Sequence, residues 1–132
     1  MTNRSPVPAA LLLMLLAAAP AAAASRPLAA DEQMGLTCSA AFALVAAGQA
    51  RGDAAMAHYP PMAGRGREFF VRLAAQLMDD TGLDRQAIAA ALEARAASLR
   101  RTGVAEVMPA CLAALDRDLP PQSDGTLPPP RR

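Results

Sequence analysis

With 132 residues, 53% of them hydrophobic, 3% aromatic and a formal net charge of +1, the chain is the size of one small domain. It carries no electrostatic footprint for nucleic acid or an anionic membrane. Every basic residue is Arg and none is Lys, a bias that points to a GC-rich genome rather than to an activity.

The first residues show three zones in the order an export machinery reads. Arg4 is followed by an apolar run from Ala9 to Ala19, then by Pro20 and alanines. The run spans about 11 residues, short of the roughly 20 needed to cross a bilayer core, so residues 1–24 read as a signal peptide cleaved after Ala24. The expected destination is the periplasm or the exterior. Without the leader, the remaining Arg and acidic residues balance to a formal charge of zero, and no integral membrane segment is expected in the mature chain.

The expected helical domain covers residues 25–118. A first helix is expected from Asp31 to Arg51, opened by two acids and closed by Gly52. Met34, Cys38, Ala41, Phe42 and Val45 form its inward stripe, and the opposite face is mostly alanine with Leu36. A helix apolar nearly all round belongs at the centre of a bundle or has a second partner. Residues 52–61 end in Pro60-Pro61 and form a connection. A second helix is expected from near Met62 to Gly82, with Met62, Phe69, Phe70, Leu73 and Leu77 inward and Arg65, Glu68, Arg72 and Asp79 outward.

Asp84 is the expected cap of a third helix, with Leu83 and Ile88 spaced as a hydrophobic staple. This helix runs to about Arg101 and buries Ile88, Leu92 and Leu99; Arg95 falls in the same stripe. From that position its guanidinium must reach water along its stem, form a salt bridge with Glu68 or Glu106, or meet a ligand anion. A fourth helix is expected over Val104–Asp118, with Cys111, Leu112 and Leu115 inward; alternatively, Pro109 starts the regular helix after a looser turn. Residues 119–132 turn to Pro, Ser, Gly and Asp and are expected to form a disordered tail.

The fold expectation is therefore all-α, a bundle of four helices. Cys38 and Cys111 lie near opposite ends of it, in apolar stripes, with no Cys-x-x-Cys spacing, which favours a structural disulfide in an oxidising compartment. Two metal motifs were weighed and set aside. Counted from Asp79 in Asp79-Asp80-Thr81-Gly82-Leu83-Asp84, an EF-hand loop needs glycine sixth and an acid twelfth, where the chain has Asp84 and Ala90. Met56, His58 and Met62 offer thioethers and one imidazole, a thin ligand set for Cu(I). No cofactor or metal is expected, and no nucleophile and acid stand beside His58, the single histidine. The reading is a non-enzymatic binding module, with the first helix offered to a protein partner or a second copy. The alternative is a metal-handling protein or a stress chaperone; in size, export and one long-range disulfide the chain resembles the small helical acid-stress chaperones of the periplasm.

Overall fold

The computed structural model describes residues 26–121; the expected signal peptide lies outside them, as does the expected tail beyond Pro121. Among the described residues there are four α-helices: α1 Ala30–Ala50, α2 Arg65–Thr81, α3 Arg85–Thr102 and α4 Met108–Asp118, with one 3-10 turn at Ala54–Met56. No described residue is in a strand, so the expected all-α bundle is the observed one.

Each boundary has a local cause. Asp84 accepts the Ala87 N–H at 2.8 Å and starts α3 as expected. Gly82 closes α2 with φ 73°, the left-handed conformation that only glycine adopts without cost. Two starts differ from expectation. The α2 helix begins at Arg65 and not at Met62: the segment at Pro60-Pro61 is extended and residues 63–64 form a turn that leads into the helix. For α4 the looser alternative is the observed one: residues 104–107 form a turn and the helix starts at Met108, with Pro109 in its first turn.

The central position of α1 follows from its all-round apolar surface. It packs against α2, α3 and α4, and Leu36, Cys38, Ala40, Ala41, Phe42 and Val45 are buried on several sides of it. Small residues let the helices approach. At Gly66, where α2 crosses α1, an added Cβ would come within 2.8 Å of Phe42 Cβ. The Phe42 and Phe69 rings then meet edge to face, centroids 5.4 Å apart.

Two clusters make up the core. The larger gathers Phe42, Val45, Met62, Phe69, Leu99, Met108, Leu115 and both cysteines. The Cys38–Cys111 disulfide joins α1 to α4 across 73 positions, with the Cα atoms 5.1 Å apart. Leu119, the first residue of the expected tail, is buried in this cluster. The smaller cluster, Leu36, Leu77 and Ile88, sits at the α2–α3 corner and is covered by Leu28 and Leu83.

Met34 departs from its expected inward place and is 48% exposed. Beside it lies a cavity of about 190 Å³ between α1, α2 and α4, bordered by Met34, Phe69 and Leu73 and by the charged Asp31, Glu32, Arg117 and Asp118.

Candidate functional site

Among the described residues, a groove between the helices has a nearly all-apolar surface. Its floor is α1, through Ser39, Phe42, Ala43 and Ala46; one wall is the start of α2, through Ala63, Gly66, Arg67 and Phe70, and Leu92 of α3 stands opposite. The cavity at its centre is about 180 Å³. The alanine face of α1 explains the depth: without long side chains on Ala43 and Ala46, nothing from the floor fills the space between the walls. Ser39 adds little polarity, since its hydroxyl donates to the Gly35 carbonyl at 2.9 Å within its own helix.

Met62 forms the inner end of the groove and is held there by Gln49. The Gln49 amide nitrogen lies 3.2, 3.0 and 3.0 Å from the carbonyls of Met56, Tyr59 and Pro60. Its oxygen accepts the Met62 N–H at 3.1 Å. A single side chain thus satisfies much of the connection's backbone and turns Met62 into the core. Sequence reasoning missed this role; the only signal was one amide in an otherwise apolar stretch of α1.

The two arginines flanking Gly66 have different fates. Arg65 pairs with Asp116 at 2.8 Å and also donates to the Leu119 carbonyl, tying α2 to the end of α4. Arg67 is exposed, borders the groove and pairs with no carboxylate among the described residues.

Arg95 is half-buried, and its partner is none of those the sequence suggested. It donates to the Gln33 side-chain oxygen across a long 3.4 Å contact. Gln33 in turn donates to the Leu28 carbonyl at 3.0 Å. Arg95 therefore steadies the arm that precedes α1, and it does not face the groove. The same arm is clasped by Arg26, which donates to both Glu32 oxygens at 2.8 and 2.7 Å, while Glu32 also accepts the Ala29 N–H at 2.7 Å. The Arg26 fork, then the Ala29 N–H, hold the Glu32 carboxyl down to about 2, and the same bond raises Arg26. Ala29 has no side-chain oxygen, so Glu32 supplies the only side-chain half of this cap.

Several residues of the two metal motifs are engaged elsewhere. His58 stacks on Tyr59 with centroids 3.9 Å apart, whereas Met62 is buried in the core. Asp84 caps α3, and Thr81 donates to the Leu77 carbonyl and accepts the Leu83 N–H at 3.1 Å. Among the described residues, no three His, Cys, Asp or Glu side chains are grouped to hold a metal ion.

Comparisons with family models, with curated proteins and with solved structures give no match to this chain.

Proposed function

We propose that this chain is an exported, non-enzymatic binding module whose docking face is the α1–α2–α3 groove. The observation that carries this reading is the groove's surface: Phe42, Met62, Phe70 and Leu92 around a floor of small residues, with Arg67 as its single charged side chain. Apolar side chains arranged around a concavity present a surface that a partner desolvates. Export accords with the disulfide, which persists in oxidising compartments.

The test uses the oxidised mature chain and toluene, a neutral probe of one ring. In amide-resolved NMR at pH 7, toluene should shift resonances at Phe42, Ala46, Gly66 and Phe70, and Ala43→Arg, which places a long charged side chain on the floor, should abolish those shifts. An absence of shifts in the unaltered protein, or equal shifts in the variant, overturns the reading.

A further inference from the structure

The groove carries one feature that an apolar docking face does not need. Arg67 stands in the first turn of α2, whose dipole is positive there and disfavours a cation. Arg65 in the same turn is neutralised by Asp116, whereas Arg67 has no counter-charge among the described residues. The unpaired Arg67 guanidinium thus lies at the mouth of the groove and complements an anion.

Size narrows what carries that anion. A cavity of about 180 Å³ is close to one that holds a single benzene ring, and it falls below the roughly 300–1,000 Å³ of sites that enclose drug-sized ligands. One large apolar side chain matches that size.

We infer, resting on the groove reading above, that the partner is a protein segment that seats one large apolar side chain between Phe42 and Leu92 and sets a neighbouring carboxylate on Arg67. The cavity supplies the contact area and Arg67 supplies the discrimination, since a neutral segment of the same shape leaves the cation unanswered.

The experiment compares three probes against the oxidised mature chain by NMR titration: N-acetyl-Ala-Phe-Glu-amide, its Gln counterpart, and octanoate. The Glu peptide should bind about threefold to fivefold more tightly than the Gln peptide at low salt, the range expected of a partly exposed ion pair. Arg67→Gln should erase that difference, and so should added salt with no substitution. Equal binding of the two peptides in the groove overturns this inference and leaves the docking face standing. No shift at Phe42, Phe70 or Leu92 with any probe overturns both. Octanoate binding more tightly than the Glu peptide overturns the assignment to a protein segment in favour of a lipid anion.

Discussion

The two ends of the bundle are held by different means. Around Cys38–Cys111, stability comes from volume and covalency: large buried side chains, an edge-to-face aromatic pair and a cross-link over 73 positions. At the α2–α3 corner three buried residues form the core, and short-range polar devices hold the chain around them. These are the Asp84 cap, the Thr81 bracket and the Glu32 clasp. A small domain can therefore keep a sparse core at one end, provided the backbone there is satisfied locally. The groove lies on the well-filled side, where α2 and α1 approach at Gly66.

Removing the cross-link is the strongest way to break this contrast. A Cys38→Ala, Cys111→Ala variant should lose about 4 kcal/mol in denaturant unfolding, from the freed loop entropy of the unfolded chain. A loss below about 1 kcal/mol would show that the larger cluster does not depend on covalency. Next is Gly66→Ala, whose Cβ would press on Phe42 Cβ at 2.8 Å. It should destabilise by about 2 kcal/mol as overpacking does, and toluene binding in the groove should weaken with it.

The local devices should matter less. Asp84→Ala should cost about 1 kcal/mol by leaving the Ala87 N–H without its acceptor. Glu32→Gln should change stability least at low pH. The Glu32 carboxyl sits at about 2 in the fold against an ordinary 4.5. Its stabilising effect is thus complete above pH 4.5 and is lost as pH falls toward 2. Unfolding curves of the unaltered protein and the variant should converge across that window. Curves that stay parallel would mean that the clasp does not act on stability. An acid-driven opening through this arm would need a pH near 2, lower than most carboxylates require.

The charge pattern alone could not separate Arg65 from Arg67. Both flank Gly66 in the first turn of α2, and only Asp116, more than forty positions along the chain, distinguishes them. Gln49 is similar, because its carbonyl partners belong to a connection whose path no periodicity describes. Met34 was placed by helical spacing on the inward stripe, yet spacing says which side of a helix faces inward and not where the neighbours stop.

By itself the sequence left α1 either at the centre of the bundle or against a second partner, and it determined the helical class, the Asp84 and Gly82 boundaries, and the pairing of two cysteines. All but the last rest on signals within about one helical turn, where proline, glycine, capping acids and apolar spacing act through fixed local geometry. Only the tertiary structure decided which arginine lacks a counter-charge, where cavities open between the helices, and that the alanine face of α1 becomes the floor of a groove. Those outcomes depend on side chains distant in sequence filling or failing to fill a shared space, and local spacing carries no record of that.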